Sequence, residues 1–278
     1  YKAGDKFAIT VKDGEKVVAK TEVGASQGLP VVVPVKKPKL WSPENPFLYD
    51  VVYEVKNAAG EVVDQVNSYV GMRKVHIDGT KIMLNNKPYY QRLVLDQGFY
   101  PDGIWTAPSD EALKHDIAMS KDAGFNGARL HQKVFEERFY YWADKLGYLV
   151  WGEMASWGKD SSVAESGRNF LSEWSNIVVR DRNHPALVVW TPFNEEWATP
   201  TAEMGRLLTD AYYITRQLDP SRPVNTVSGG LYAISDFCTT HSYNQNGENL
   251  YKQLYSDGKF YQPQGATDGK SAMIILHY

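Results

Sequence analysis

The sequence predicts an antiparallel β-sandwich over residues 1–71, followed by a (β/α)8 barrel over residues 72–278 that is truncated after about seven strands. Three observations carry this. Up to about Val70, short runs alternate apolar and polar residues and are punctuated by Gly or Pro. Past Gly71, short apolar runs alternate with helical stretches of 10 to 18 residues, the pattern of βα units around a parallel sheet. An open doubly wound sheet would want a glycine-rich phosphate loop after its first strand, and "VLDQGFYPDG" lacks the G-x-G-x-x-G spacing.

In the first part, "KFAITVKD", "KVVAKTEV", "PVVVPV", "LYDVVYEVKN" and "EVVDQVNSYVG" read as strands, with "NAAGE" as a hairpin turn. Five or six strands fit, one or two short of a complete sandwich. In the second part "PYYQRLVL" is the first strand, followed by the aromatic, glycine-rich loop "DQGFYPDGIWTAP". Ser109 caps a helix whose first turn is acidic (Asp110, Glu111), and Gly124 ends it. "FNGARLH" is a strand, 136–146 a helix closed by Gly147, and "YLVWGEM" a third strand. Residues 169–182 read as a helix and "ALVVWTPFNEE" as a fourth strand. Pro200 behind Thr199 opens a helix that runs to "LDPSRP". "PVNTV", "DFCTTHSY" and "AMIILHY" supply three more strands.

Composition narrows the function. A net charge of −3, with no block of five like charges, gives no support to a nucleic-acid or polybasic membrane role. No apolar run approaches the roughly 18 residues of a membrane span, and Tyr1-Lys2-Ala3-Gly4 does not begin a signal peptide. The single Cys238 excludes an internal disulfide. Aromatic residues, at 13%, suit both sugar stacking and core filling, and composition alone favours the core.

In a barrel the working residues sit at the C-terminal strand ends. Here those ends carry Asp96, Arg129, His131, Glu153, Asn194, Glu195, His241 and Tyr243, which would converge on one pocket. The run "VVWTPFNEEW" delivers an amide and two carboxylates to one spot. Acid–base chemistry on a sugar needs a carboxyl that protonates the leaving oxygen, and a neighbouring amide can hold a hydroxyl. That chemistry requires no metal and no organic cofactor. In "HQKVFEERF", His131, Glu136 and Glu137 lack an H-E-x-x-H spacing and fit a strand end and a helix cap.

The segment "RDRNHPALVVWTPFNEEW" resembles the signature of glycoside hydrolase family 2, the β-galactosidase, β-glucuronidase and β-mannosidase family. So do "GFNGARLHQ", "DKLGYLVWGEM", "LDPSRPV", "LWSPENPFLY" and "YVGMRKVHIDGTKIMLNNKPYY". The resemblance implies an immunoglobulin-like sandwich before a TIM barrel, a retaining two-carboxylate mechanism and exo-action on β-linked carbohydrate. Residue by residue, it implies that Glu195 is the general acid/base and that Asn194 contacts the sugar 2-hydroxyl. Arg129 and His131 match residues lining the sugar site, Glu153 the acidic residue closing the third strand, and Tyr243 a tyrosine that hydrogen-bonds the nucleophile. Glu196 reads as a solvated loop carboxylate. Asp96 is a weaker match, and Trp157 either stacks on a sugar or covers the barrel mouth.

One position departs from the family pattern. The nucleophile, a Glu at the end of the seventh strand, is matched by His277 in "AMIILHY". The chain stops at Tyr278 and begins partway into the sandwich, without the jelly-roll domain that usually comes first, so a central fragment of a larger enzyme is expected. Two classes of function follow: a retaining exo-β-glycosidase, or a carbohydrate-binding pseudoenzyme that keeps the pocket without turnover.

Overall fold

The computed structural model describes residues 1–26, 28–196, 201–256 and 258–260, together with the backbone of 272–277. Contacts divide the chain into two units, Tyr1–Arg73 and Lys74–Tyr278.

In the first unit, β1 (Lys6–Asp13), β2 (Lys16–Gly24), β3 (Tyr49–Lys56) and β4 (Val62–Val70) form one antiparallel sheet in the order β2-β1-β3-β4. The turn after β3 is built by Asn57, whose Oδ1 accepts the N–H groups of Ala59 and Glu61, each at 3.0 Å. Ile9, Val11, Tyr49 and Val51 form the buried core, and Val31, Val33 and Val35 pack against it. The expected five or six strands are four among the described residues, because "PVVVPV" joins no ladder. Pro30 and Pro34 have no N–H to donate, so the segment covers the sheet with side chains instead of extending it. It keeps the parity of an extended chain, since Val32, between two packed valines, is 79% exposed.

The second unit opens with a small antiparallel sheet of β5 (Val75–Asp78), β6 (Lys81–Leu84) and β7 (Lys87–Pro88). Asn85 and Asn86, at φ +52° and +65°, make the tight turn between β6 and β7. The βα units follow: β8 (Leu93–Asp96), α1 (Asp110–Asp122), β9 (Gly127–Leu130), α2 (Glu137–Leu146), β10 (Leu149–Glu153), α3 (Ala164–Asp181) and β11 (Leu187–Thr191). After Pro192 the fourth strand resumes as β12 (Phe193–Asn194). Then come α4 (Ala202–Leu218), β13 (Val227–Ser228), β14 (Phe237–Ser242), α5 (Gly247–Leu254), β15 (Tyr255–Ser256), β16 (Lys259–Phe260) and β17 (Ala272–His277).

β8 to β11 form a parallel sheet in chain order, β12 pairs with β13, and β14 pairs with β17, all parallel. Strands thus form at all seven expected places, but among the described residues the ladders do not close into a barrel. β9, β10 and β11 are buried along their whole length, so β11 and most of β10 read as apolar runs rather than alternating ones, while β9 carries Arg129 inside.

Helix ends follow local chemistry. Ser109 Oγ accepts the N–H of Ala112 at 3.2 Å, and Gly147 takes the left-handed conformation (φ 69°) that closes α2. α3 begins at Ala164, ahead of the expected 169, with Glu165 in its first turn. α4 is capped by Thr201, whose Oγ1 accepts the N–H of Met204 at 3.1 Å; the expected start at Thr199 and Pro200 lies outside the described residues. None of the described helices is long and apolar enough to cross a membrane.

The entry into β11 is fixed by Asp144 of α2, a fully buried carboxylate. It meets His184 Nδ1 at 2.6 Å and accepts the Ala186 N–H at 2.9 Å. Asp144→Ala strands both donors beneath the strand that leads to Asn194 and Glu195, so it should destabilise the protein by about 3 kcal/mol in urea unfolding. Asp144→Asn keeps one acceptor for Ala186 and should cost about half as much.

Candidate active site

Ladder register decides which strand-end side chains meet. Partnered residues of parallel strands share a face, and every second residue returns to it. Arg129 partners Leu95 on β8 and Trp151 on β10. Glu153, two residues beyond Trp151, and His131, two beyond Arg129, therefore lie on Arg129's face. Asp96 is one residue beyond Leu95 and faces the other way.

The side chains bear this out for Arg129 and Glu153, and Asn194 joins them. Arg129 Nε donates to Glu153 Oε2 at 2.7 Å and Nη2 donates to Oε1 at 3.1 Å. The same Nη2 donates to Asn194 Oδ1 at 2.5 Å. All three side chains are buried. The backbone N–H of Gln132 adds another donor to Glu153 at 3.0 Å. Burial pushes the Glu153 carboxyl up to about 7, against the opposing pull of Arg129. Asn194 Nδ2 is buried with no hydrogen-bond partner among the described residues.

Glu195 follows Asn194 at φ +49°, a left-handed backbone that a non-glycine residue adopts only under constraint. Its N–H continues the ladder to Ser228 O at 2.9 Å. Its Oε1 meets His241 Nδ1 at 2.5 Å and accepts the Tyr243 hydroxyl at 3.2 Å. His241 Nε2 in turn lies 2.9 Å from Ser228 Oγ. Burial lowers the His241 pKa, although its bond to Glu195 opposes the shift. Burial, then the Arg129 charge, pushes His131 down to about 4. Gln97 Nε2 donates to His131 Nδ1 at 3.1 Å, which leaves the ring proton on Nε2.

Trp157 forms a wall of the cluster. Its Nε1 donates to Asn194 O at 3.0 Å, and its ring stands edge-on to His131 at 6.0 Å between centroids. Gln132 holds this loop in place, its Oε1 accepting the N–H groups of Ser156 at 2.8 Å and Trp157 at 3.1 Å.

Arg129, His131, Glu153, Asn194, Glu195, His241 and Tyr243 are thus gathered at one end of the strands. Asp96 is not among them. Its carboxylate accepts the Gly98 N–H at 2.8 Å and lines a separate cavity with Asp116, Ser120 and Tyr148 beside α1, because its parity on β8 is opposite to that of Leu95. Glu196 also differs from expectation. It is buried rather than solvated, ion-paired with Lys159, and accepts the Ser161 hydroxyl at 3.1 Å. At the expected nucleophile position, the backbone of β17 pairs His277 with Ser242, and the His277 side chain lies outside the described residues. Gln132, Ser156, Lys159 and Ser228 belong to the cluster without having been singled out in the sequence. Gln132 and Ser228 each sit at or just past a strand end, a signal that strand-end position alone could have raised.

Parallel strands that bring a carboxyl, an amide and a buried guanidinium to their C-terminal ends define an α/β domain with a polar cluster at that edge. The family model of the glycosyl hydrolases family 2 TIM barrel domain matches residues 75–267, and the glycosyl hydrolases family 2 model matches residues 3–73. The chain belongs to glycosyl hydrolases family 2. It is 29% identical over 203 residues to a β-galactosidase of Photobacterium profundum, which covers 70% of this chain and 19% of that protein. A β-galactosidase of Pectobacterium atrosepticum is 30% identical over 210 residues, covering 70% of this chain and 19% of that protein. Among solved structures, a β-glucuronidase from Ruminococcus gnavus superposes with a TM-score of 0.75 at 24% identity, covering 87% of this chain and 44% of that one, and shares the fold. The chain therefore spans about a fifth of the length of these curated relatives.

The depressed pKa of His131 has a signed consequence. The unfolded histidine binds a proton near pH 6.5, the folded one only near 4, so between these values the unfolded state holds more protons. Stability contributed by neutral His131 is present above about pH 6.5 and is lost as pH falls toward 4. Urea midpoints at pH 7 and pH 5 should fall further on acidification for the wild type than for His131→Gln.

Proposed function

We propose that this chain is the acid/base-bearing part of a retaining exo-β-glycosidase acting on β-galactosides, with Glu195 as the general acid/base. The observation that carries this reading is the placement of Glu195. One oxygen of its carboxyl is held by His241 and Tyr243, while the adjoining Asn194 offers a buried amide donor that the described protein groups leave unused. Buried donors are rarely left without acceptors, and a sugar 2-hydroxyl would satisfy this one. Glu195 would protonate the glycosidic oxygen as the C–O bond breaks, then take a proton from water in the second step.

Among the described residues, the cations around the site suit a neutral sugar better than a uronate. Arg129 is engaged with Glu153 and Asn194, Lys159 with Glu196, and Lys133 donates to the carbonyls of Gly98 and Trp105 at 2.8 and 2.7 Å. A retaining mechanism also needs a second carboxylate about 5–5.5 Å from the first. Glu153 is committed to Arg129, and the family's nucleophile position reads His277. That histidine favours a second reading, in which the protein binds carbohydrate without turning it over, since neutral imidazole lacks the charge that stabilises an oxocarbenium-like transition state.

Leaving-group dependence tests the assignment. In the full-length protein, Glu195→Gln should lower kcat/KM about 10²- to 10⁴-fold for alkyl β-galactosides and far less for nitrophenyl β-galactoside, whose leaving group needs little protonation. Equal losses on both remove Glu195 from the role. If nitrophenyl β-galactoside and β-glucuronide are both bound but neither is hydrolysed, the binding-only reading stands.

A further inference from the structure

Three hydrogen bonds from three chain segments close a ring behind Glu195. Its N–H donates to Ser228 O at 2.9 Å, Ser228 Oγ lies 2.9 Å from His241 Nε2, and His241 Nδ1 lies 2.5 Å from Glu195 Oε1. Ser228 is fully buried, on β13, and the imidazole of His241 is nearly so. Next to Ser228, Gly229 adopts φ +64°, and a Cβ there would come within 2.5 Å of the His241 ring. The ring is therefore held in a slot that only glycine leaves open.

The proton inventory of this ring is restrictive. A carboxylate only accepts, so with Glu195 ionised His241 must carry its proton on Nδ1. That leaves Nε2 as a buried acceptor, and the Ser228 hydroxyl 2.9 Å away can donate to it. The same arrangement serves when Glu195 is protonated on its other oxygen. We propose that Ser228 is a positioning residue for the acid/base: its hydroxyl donates to His241 Nε2, fixes the Nδ1–H tautomer, and through it, with Tyr243, occupies Oε1 of Glu195. The transferable proton is thereby confined to Oε2. As the glycosidic C–O bond breaks, its electron pair stays on the leaving oxygen, which takes that proton from Oε2, while the anomeric carbon bonds to the second carboxylate that a retaining mechanism requires. In the second step water displaces that carboxylate and gives one proton back to Oε2. His241 remains neutral throughout, with Arg129 and Glu195 as the charged groups that act on it most directly.

This assignment rests on Glu195 being the acid/base, but its first test does not. In the full-length protein carrying ¹⁵N-labelled histidine, with His241→Gln used to identify the resonances, His241 should show a protonated Nδ1 and a bare Nε2 at neutral pH. A proton on Nε2 overturns the proposal, whether or not the protein is a glycosidase. Ser228→Ala should mix the two tautomers, and Ser228→Thr should restore the single one. In turnover, Ser228→Ala should lower kcat/KM about tenfold for alkyl β-galactosides, the worth of one neutral hydrogen bond, and less than about threefold for nitrophenyl β-galactoside, with KM unchanged. An unchanged tautomer, or equal losses on both substrates, assigns Ser228 a structural role only and overturns the proposal. Absence of turnover on every substrate counts against the acid/base reading, while the tautomer still decides the contact.

Discussion

The buried guanidinium of Arg129 is the interaction on which the site depends. A cation taken out of water costs several kcal/mol unless its donors are met in good geometry. Here a bidentate carboxylate from β10 and an amide oxygen from β12 meet it, so three strand ends are tied to one planar group. The planarity matters. A lysine would present a point charge with no fork to match the carboxylate plane. By occupying Asn194 Oδ1, Arg129 also orients the amide so that its NH₂ faces away from the guanidinium.

Around this anchor the strain at Glu195 becomes understandable. A left-handed non-glycine residue persists only where its surroundings over-determine it, and costs about 1–3 kcal/mol. Glu195 is held on both sides, by the ladder bond from its N–H to Ser228 and by its carboxyl contacts to His241 and Tyr243. The turn swings its side chain out of the strand alternation that buries Phe193, and Glu196 then enters a buried pair with Lys159. Two adjacent glutamates thus meet different environments through a single backbone irregularity.

Much of the fold was legible because its signals are local. Buried parallel strands give continuous apolar runs, and Ser109 and Gly147 mark helix ends through bonds and dihedrals within a few residues. What the sequence hid depends on partners distant along the chain. Glu196 reads as a loop carboxylate because nothing near it in sequence says that Lys159 will meet it. Asp96 shares its strand-end position with the site residues, but register against β9, which local sequence does not encode, sets its parity. "PVVVPV" has the alternation of a strand and packs like one, yet its prolines withhold the donors that a ladder requires. Its side-chain pattern is readable from the sequence, and its missing ladder bonds follow from its prolines.

The same distinction separates the two imidazoles of the site. Burial lowers the pKa of both His131 and His241, but the two rings meet different partners. Gln97 donates to Nδ1 of His131, so that ring presents its Nε2–H. A neutral donor of this kind polarises a hydroxyl without adding charge. His241 has its Nδ1 against the Glu195 carboxyl instead, and its Nε2 against the Ser228 hydroxyl. A charged imidazole at either place would add to the field of Arg129. Burial of both rings therefore works against a second cation beside Arg129, which is already matched by Glu153.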